Sequence, residues 1–430
     1  MRGWSPARVA AAAGAELVRD APAGHALERV VVDSRQAGPG ALFVGLPGTR
    51  VDGGSFASSV LGADAWGVLV APGHADAGVG GDDSGAVLAA DDPLAALGRL
   101  ARAWRRELGA QVIGVTGSTG KTTTKELLLK LLAPHRATVA SRANLNTEIG
   151  LPLQILAAPE GTEVLVLEMA MRGAGQIAEL AAIAEPDVGV IVNVGPVHLE
   201  LLGSLQGVAA AKAELIAGLR PGATAVIPAG EPLLDPYLRS DLRIVTFGPG
   251  GDMTLEDLDL ELPDAPPHVL TDLLAAVAAA RALGVESSGR VDLAPVAGRG
   301  ARSTTSRGVV VIDDCYNANP MSVRAALDAL AEHPGPKLAV LGDMLELGPD
   351  EARFHAEVGA HARARGVDRL VAVGPRAAHM AEAFGAGAHR VPDAATAAEL
   401  VPGLTGPGEA VLVKASNGVG LSVVCAALGS

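Results

Sequence analysis

The stretch from residue 110 to residue 132 constrains the fold of this chain most strongly, because a strand, a glycine turn and a helix follow one another in it directly. Its sequence is AQVIGVTGSTGKTTTKELLLKLL. The apolar start predicts a buried β-strand. The end predicts a helix from leucines at helical spacing, which are Leu127, Leu128, Leu131 and Leu132. The stretch therefore predicts an α/β fold in which a glycine loop leads into a helix N-terminus.

This glycine loop has the composition of a phosphate-binding loop. Backbone N–H groups and the positive end of the helix dipole favour an anion there. Lys121 is expected to reach the terminal phosphates of a nucleotide, and the Thr122 hydroxyl to ligate its magnesium ion. The form is T-G-x-x-G-K-T-T, more compact than the general pattern, because Val115 stands five residues before Gly120. An ordinary glycine turn before a helix is the alternative. The residues expected to bind a nucleoside triphosphate are Thr116, Gly117, Ser118, Thr119, Gly120, Lys121 and Thr122.

Length and charge limit the remaining possibilities. The 430 residues correspond to roughly three domains of about 150 residues each. Because 48 acidic residues outweigh 34 basic ones, the net charge is -14, which argues against nucleic-acid and acidic-membrane partners. The N-terminus lacks a long apolar segment, and no apolar run of about 18 residues occurs. We therefore expect a cytoplasmic protein without a membrane span.

The chain contains two cysteines, Cys315 and Cys425, in different sequence contexts and without a C-x-x-C motif. This pattern indicates neither a disulfide framework nor a thiolate zinc site, and it suits a reducing cytosol.

Alternating strand and helix patterns continue on both sides of the glycine loop and predict three α/β units. We place the first at residues 1–108, the second, with the glycine loop, at 109–297 and the third, with a doubly wound sheet, at 298–430. The arginines of the helix predicted near residues 93–108 are expected to form a solvated basic face. They are Arg99, Arg102, Arg105 and Arg106.

Two further strands of the second unit end in polar residues. The run 163–167 ends on Glu168, and the run 188–194 is followed shortly by His198. Because the carboxyl ends of parallel strands share one edge, both side chains are placed to face a metal at the loop. A buried glutamate bound by backbone N–H groups and a helix-capping histidine are the alternatives. From its own sequence context, Lys212 is predicted to be a surface lysine.

Together these motifs resemble the Mur ligases over nearly the whole chain. The resemblance rests on the segments DSRQAGPGALFVGLPG, TGSTGKTTTKE, NLNTEIGLP, HLELLGSLQGVAAAKAELI, DDCYNANPMSVRAAL and VLGDMLELG, together with Glu168. The last two segments indicate the branch that adds D-alanyl-D-alanine. The resemblance implies a central P-loop domain, a Rossmann-like C-terminal domain and an ATP-dependent amide ligase of peptidoglycan precursor synthesis. ATP would phosphorylate the terminal carboxylate of a UDP-linked tripeptide, and the dipeptide amine would then displace phosphate.

The resemblance also assigns roles to individual residues. It implies magnesium, with two ions, held by Thr122, Glu168, His198 and a carbamylated Lys212. It implies catalytic roles for Lys121, His198, Lys212 and Arg299. It places the uridine end of the substrate at Ser34 and Arg35, and closure over ATP at Arg299, Asp314 and Asn317. Further substrate contacts are expected from Asn144, Asn146 and Asn319. The partners are small molecules, and we expect a monomer.

Three features depart from the family pattern. His268 is followed by Val269 and Asp272 where the family has two asparagines that hold the adenine end, and Asn417 stands where an arginine is common. Replacing asparagine by valine removes a donor and an acceptor together. The segment 251–263 is also shorter than usual. Two alternatives therefore stay open, which are a ligase of the folylpolyglutamate type and a nucleotide-binding paralogue with impaired catalysis.

Overall fold

A computed structural model describes residues 1, 3–22, 25–76, 85–142, 144–262 and 265–429. It contains three larger sheets that are mainly parallel and are covered by helices, which confirms the predicted α/β fold. Within the described residues, no helix combines the length and the apolar character needed to cross a membrane.

The first sheet has five strands in the order β1-β5-β4-β3-β2, and only β1 runs antiparallel to its neighbour. Its strands are β1 (Glu16–Arg19), β2 (Arg29–Val31), β3 (Ala41–Val44), β4 (Gly67–Val70) and β5 (Ala86–Ala89). The helices of this part are α1 (Pro6–Ala13), α2 (Ala57–Leu61), α3 (Pro72–Ala75) and α4 (Pro93–Leu108). Helix α4 begins where the Asp92 side chain accepts a hydrogen bond from the Ala95 N–H, so the cap and the proline that follows fix its start.

The second sheet has six strands, all parallel, in the order β11-β10-β9-β6-β8-β7. They are β6 (Gln111–Thr116), β7 (Thr138–Ala140), β8 (Val164–Glu168), β9 (Val188–Ile191), β10 (Thr224–Pro228) and β11 (Arg243–Phe247). The chain leaves β6 toward one side of the sheet and later continues on the other. The glycine loop after β6 therefore lies at the topological switch point, where open α/β sheets bind ligands.

The helices around this sheet are α5 (Lys121–Leu132), α6 (Gly150–Leu156), α7 (Gln176–Ala184), α8 (Leu199–Leu202), α9 (Leu205–Ala217) and α10 (Pro267–Ala282). Two short strands, β12 (Asp259–Glu261) and β13 (Ser288–Arg290), pair beside it in parallel. The acidic, proline-containing sequence of residues 249–267 predicts an irregular connection, but β12 lies within it. The sequence pattern predicts a helix over residues 273–283, but α10 already begins at Pro267, because a proline is well suited to a first helical turn.

The third sheet has six strands in the order β14-β15-β19-β16-β17-β18, and only β14 is antiparallel. They are β14 (Ala301–Thr304), β15 (Val310–Asp313), β16 (Lys337–Gly342), β17 (Arg369–Val373), β18 (Ala388–Val391) and β19 (Ala410–Lys414). The helices are α11 (Pro320–Ala331), α12 (Glu351–Ala364), α13 (Ala378–Phe384), α14 (Ala394–Leu404) and α15 (Ser422–Gly429). Each face of this sheet has its own apolar cluster.

The first two sheets, in contrast, share one hydrophobic core, which α4 joins. Trp104 of this helix is buried, packs edge-on against Trp4 and donates its indole N–H to the carbonyl oxygen of Ala158 at 3.1 Å. The same cluster continues from Leu42 through α4 to Leu215. These two parts of the chain are therefore packed together like one domain.

Two arginines of α4, Arg99 and Arg105, do not fit the prediction of a solvated basic face. Arg99 donates to the Ala13 carbonyl at 2.6 Å, and Arg105 donates to the carbonyls of Ala184 and Glu185. Arg106 pairs with the Glu185 carboxylate. Arg99 and Arg105 thus bond to carbonyls on both neighbours of α4 and belong to a packed interface, whereas the Arg106 side chain stays exposed to solvent.

Candidate active site

A cavity of about 2660 Å³ lies where the carboxyl edge of the second sheet faces the third sheet. The predicted site residues that line it are Thr116, Gly117, Ser118, Thr119, Gly120, Lys121, Thr122, Asn144, Asn146, Glu168, His198, Lys212, Arg299, Asp314, Asn317 and Asn319. Ser34 and Arg35 are not among its lining residues. Arg35 is turned to its neighbour Asp33, and this hydrogen bond lowers the pKa of Asp33 to about 2.

The glycine loop is held in shape by a residue that sequence reasoning missed. Asn193 follows β9, and its side-chain oxygen accepts hydrogen bonds from the N–H groups of Ser118 and Thr119 at 3.0 and 2.9 Å. These two N–H groups are therefore not free for phosphate, contrary to our expectation for the whole loop. In the first turn of α5, Thr124 donates its N–H to the Gly120 carbonyl at 2.8 Å. The preceding N–H groups, of Lys121, Thr122 and Thr123, lie before this first helical hydrogen bond and remain available to an anion. The only signal for Asn193 in the sequence was a polar residue at a strand end.

Lys121 lies at the start of α5 with its amine folded back over the loop. Gly120 precedes it with φ +76°, a left-handed conformation that glycine adopts without strain. The Lys121 amine donates to the Gly117 carbonyl at 2.8 Å, and burial lowers its pKa although Glu168 opposes this shift. An anion in the loop would offer this desolvated amine its natural counter-charge.

Glu168 and Thr122 meet at the inner end of the cavity. The Thr122 hydroxyl donates to one oxygen of the buried Glu168 carboxylate at 2.8 Å, and the Asn146 amide donates to the other at 2.9 Å. A hydroxyl and a carboxylate beside a phosphate loop are the hard oxygen donors that Mg²⁺ prefers, so these residues fit such an ion.

Lys212, predicted from its own context to be a surface lysine, is buried on α9 and lines the same cavity. Within the described part of the chain, no hydrogen bond is found for its amine. Burial, with Lys121 nearby, holds the pKa of Lys212 well below its ordinary value. A lowered pKa favours the uncharged, nucleophilic form of the amine more than in a surface lysine.

His198 connects the second and third sheets. Its Nδ1 atom pairs with the Glu346 carboxylate from the loop after β16, and Arg172 lies 3.6 Å from the same carboxylate. Burial lowers the pKa of His198, while Glu346 opposes the shift. His198 and Glu346 have φ of +52° and +64°, so two non-glycine residues in the left-handed region face each other here. Strain of this kind tends to accumulate at functional sites.

The third sheet contributes a charged cluster at the end of β15. Lys414 donates to Asp314 at 2.6 Å and to the Asn317 carbonyl at 2.9 Å. Burial raises the pKa of Asp314, while Lys414 opposes the shift. Arg299 stacks on the Tyr316 ring with 4.0 Å between guanidinium and ring centre. The cluster thus holds Arg299, Asp314 and Asn317 toward the cavity.

Asn319 has a local role in addition to lining the cavity. Its side-chain oxygen accepts from the Ser322 N–H at 2.9 Å, while the Ser322 hydroxyl accepts from the Asn319 N–H at 3.1 Å, which forms a capping box at the start of α11.

Asp272, one of the departures from the family pattern, touches the glycine loop. A Cβ atom placed on Gly120 would lie 2.2 Å from its Oδ1 atom. Its side chain is buried and has no hydrogen-bonding partner within the described residues. Burial raises the pKa of Asp272 well above its ordinary value, while Arg299 opposes the shift.

Comparisons with known proteins cover nearly the whole chain. Residues 27–105, 115–263 and 298–417 match the family models described as "Mur ligase family, catalytic domain", "Mur ligase middle domain" and "Mur ligase, glutamate ligase domain". A UDP-N-acetylmuramoyl-tripeptide–D-alanyl-D-alanine ligase of Synechocystis is 37% identical over 94% of this chain and 92% of its own length. The ligase of the same name from Bacillus subtilis is 35% identical over 95% and 96%.

Solved structures agree with this result. MurF from Acinetobacter baumannii matches with a TM-score of 0.89 at 27% identity, covering 100% of this chain and 99% of its own. MurF ligase from Thermotoga maritima in complex with ADP matches with a TM-score of 0.83 at 31% identity, covering 94% and 97%. A bifunctional folylpolyglutamate synthase/dihydrofolate synthase from Yersinia pestis has a TM-score of 0.58 at 20% identity over 76% of this chain and 92% of its own, which shows a shared fold alone.

Proposed function

The chain belongs to the Mur ligase family, and from this premise we propose that it is the ATP-dependent ligase that joins D-alanyl-D-alanine to a UDP-N-acetylmuramoyl-tripeptide. The observation that carries the proposal is the meeting of Lys121, Thr122 and Glu168 with Arg299 and Asp314 in one cavity. Phosphoryl transfer to a carboxylate brings two anions together, and these residues supply the positive charge and the oxygen donors that such a reaction needs.

The reaction proceeds in two steps. The terminal carboxylate of the tripeptide attacks the γ-phosphorus of ATP, so that an acyl phosphate forms and ADP leaves. The amine of D-alanyl-D-alanine then adds to the acyl carbon, and the tetrahedral intermediate expels phosphate as the amide bond forms. Lys121 and Arg299 stabilise the charge on the transferring phosphoryl group, while the residues from the third sheet keep water away from the acyl phosphate.

Thr122, Glu168 and His198 would hold magnesium, and Lys212 would contribute once carbamylated. The ion neutralises phosphate charge when bound. Carbamylation needs an uncharged amine to attack carbon dioxide, and burial of Lys212 favours that form. The carbamate would turn the amine into an oxygen donor. We expect Lys212→Ala to lose phosphate release and Lys212→Glu, which keeps a carboxylate there, to retain more of it. Removal of bicarbonate should reduce wild-type activity and leave Lys212→Glu unchanged. Equal responses of the two proteins would contradict the carbamate.

The rest of the chain is assigned by the same proposal. Residues 1–108 would bind the UDP end of the substrate through Ser34 and Arg35, residues 109–297 would bind ATP, and residues 298–430 would close over both. Asn144, Asn146 and Asn319 would contact the substrate. The enzyme would act in the cytoplasm as a monomer.

The decisive experiment measures phosphate release by the purified chain with ATP, magnesium, UDP-tripeptide and D-alanyl-D-alanine. Release should require both the dipeptide and the UDP-tripeptide, and Lys121→Ala should lower kcat/KM about 100-fold or more. Lys130→Ala is the matched control, because this lysine lies on the same helix and does not line the cavity. Phosphate release in the absence of both peptides would contradict the ligase function.

Each of the two alternative functions predicts a different experimental result. Ligation of glutamate in place of the dipeptide, in a panel of amines, would favour the folylpolyglutamate type. Binding of ATP and UDP-tripeptide by folded protein without product would favour the impaired paralogue, for which Val269, Asp272 and Asn417 are the motivation.

A further inference from the structure

The two cysteines of the chain, 110 positions apart, are in contact in the folded protein. The Sγ atoms of Cys315 and Cys425 lie 3.6 Å apart, in the apolar cluster that α15 forms with β15 and β19. This contact is not predictable from the sequence, since it arises only when α15 packs on the sheet.

From this contact we propose that Cys315 and Cys425 form a reversible dithiol–disulfide pair, a modification site whose oxidation changes the third-sheet side of the cavity. A disulfide bond is about 2.05 Å long, so the two sulfurs must approach by about 1.5 Å. Cys315 is fixed by the sheet, because its N–H donates to Asp313 at 3.2 Å and its thiol donates to the Val413 carbonyl at 3.5 Å.

The two thiols differ in their exposure to solvent, and this difference determines which cysteine reacts first during oxidation. Cys425 is partly exposed, whereas Cys315 is buried. Cys425 as thiolate attacks a small aliphatic disulfide and releases one small thiol. Cys315 then gives up its proton and attacks Sγ of Cys425, which expels the second small thiol. Two electrons pass from the cysteine pair to the small disulfide, and the products are one protein disulfide and two small thiols. The hydrogen bond with Cys425 and burial raise the pKa of Cys315, which suits a resolving thiol better than the first attacker.

Cys315 lies between residues that line the cavity. Asp314 precedes it and receives the Lys414 hydrogen bond, and Tyr316 follows it and supports Arg299. Neither cysteine lines the cavity itself. A pull on Cys315 toward α15 would therefore displace both neighbours while the phosphate loop stays in place. This consequence rests on the proposed ligase function, whereas the formation of the bond does not.

Asp313 lies beside the pair, so a metal ion is the competing occupant. One oxygen of its carboxylate and the two sulfurs are within 4.8 Å of one another. We favour the disulfide because Asp313 already accepts the Cys315 N–H and because two sulfurs alone suffice for it.

The test uses the full chain, treated with oxidised glutathione or with dithiothreitol, each with and without one equivalent of zinc. We expect both thiols to disappear together, a peptide cross-link between residues 315 and 425, and altered hydrogen exchange at residues 314–319. Phosphate release should fall about tenfold and recover with dithiothreitol. Cys425→Ser should keep its activity under both treatments.

Three outcomes would overturn the proposal. One is a stable glutathione adduct on Cys425 with Cys315 still free. A second is stoichiometric zinc binding that protects both thiols. A third is the cross-link without any change in exchange or release, which would remove the link to the cavity. If the chain is not a ligase, the cross-link and the exchange data still decide the matter.

Discussion

Asp272 is a buried carboxyl that faces the phosphate loop, so its surroundings disfavour its charged form. Its raised pKa means that the folded chain holds this proton more tightly than the unfolded chain does. Stability from this group is thus present below the ordinary pKa of aspartate and is lost as pH rises above it. Once ionised, the carboxylate would also repel the phosphates of a bound nucleotide.

We therefore expect Asp272→Asn to raise the melting temperature by a few degrees at neutral and higher pH and to lower the KM for ATP. Wild-type affinity for ATP should weaken as pH rises, whereas the affinity of the variant should lack the pH dependence that comes from ionisation of Asp272. Thermal unfolding and ATP titrations across pH measure both effects. Asp259→Asn, at an exposed position on β12, is the control and should change neither. Identical pH profiles of wild type and Asp272→Asn would show that Asp272 does not titrate at this site.

At the scale of elements, the contact between α8 and the loop after β16 joins the two sides of the cavity. We expect Glu346→Ala to lower kcat for phosphate release several-fold, because it removes the partner of His198 and the attraction to Arg172. Glu346→Gln should recover part of kcat, since its amide can still hydrogen-bond the imidazole.

Glu185→Ala is a matched control for this contact. Glu185 also has a left-handed φ, +48°, and also pairs with an arginine, Arg106, but it lies outside the cavity lining. Its replacement should cost stability without changing kcat. Steady-state kinetics and denaturant unfolding of the variants separate the two effects, and equal kcat losses in Glu346→Ala and Glu185→Ala would exclude a positioning role for Glu346.

The elements also show how far sequence reasoning reached. The strand, glycine loop and helix at residues 110–132 were predictable because hydrophobic period and glycine placement are local signals. That Glu168 and His198 line the same cavity was predictable from the geometry of parallel strands, whose carboxyl ends share one edge. The support of the loop by Asn193, the pairing of His198 with Glu346 and the packing of the α4 arginines were not predictable, because each depends on partners distant in sequence. The position of Lys212 at the site was predicted only from the family resemblance, because its own sequence context indicated a surface lysine.

For the whole molecule, the shared core predicts two cooperative units in place of three. The first two sheets should unfold in one calorimetric transition, and the third sheet, with its own clusters, in another.

Trp104→Ala tests this division. It should destabilise the first unit by about 3–5 kcal/mol, because it empties a large buried site and removes the hydrogen bond to Ala158. The transition of the third sheet should keep its temperature. Scanning calorimetry of wild type and variant makes the comparison, and a shift of both transitions, or three transitions in the wild type, would contradict two units.

The core joined by α4 also has a consequence for substrate choice under the proposed function. Because the first two sheets are packed together, the span from Ser34 and Arg35 to the phosphate loop is built into the protein as a fixed length. When a substrate is bound at its nucleotide end, only a peptide of the corresponding length places its terminal carboxylate at the γ-phosphorus. Peptides one residue shorter or longer would place their carboxylates away from the γ-phosphorus. Under the proposed function, the fixed distance therefore restricts the enzyme to the precursor that carries a peptide of the correct length.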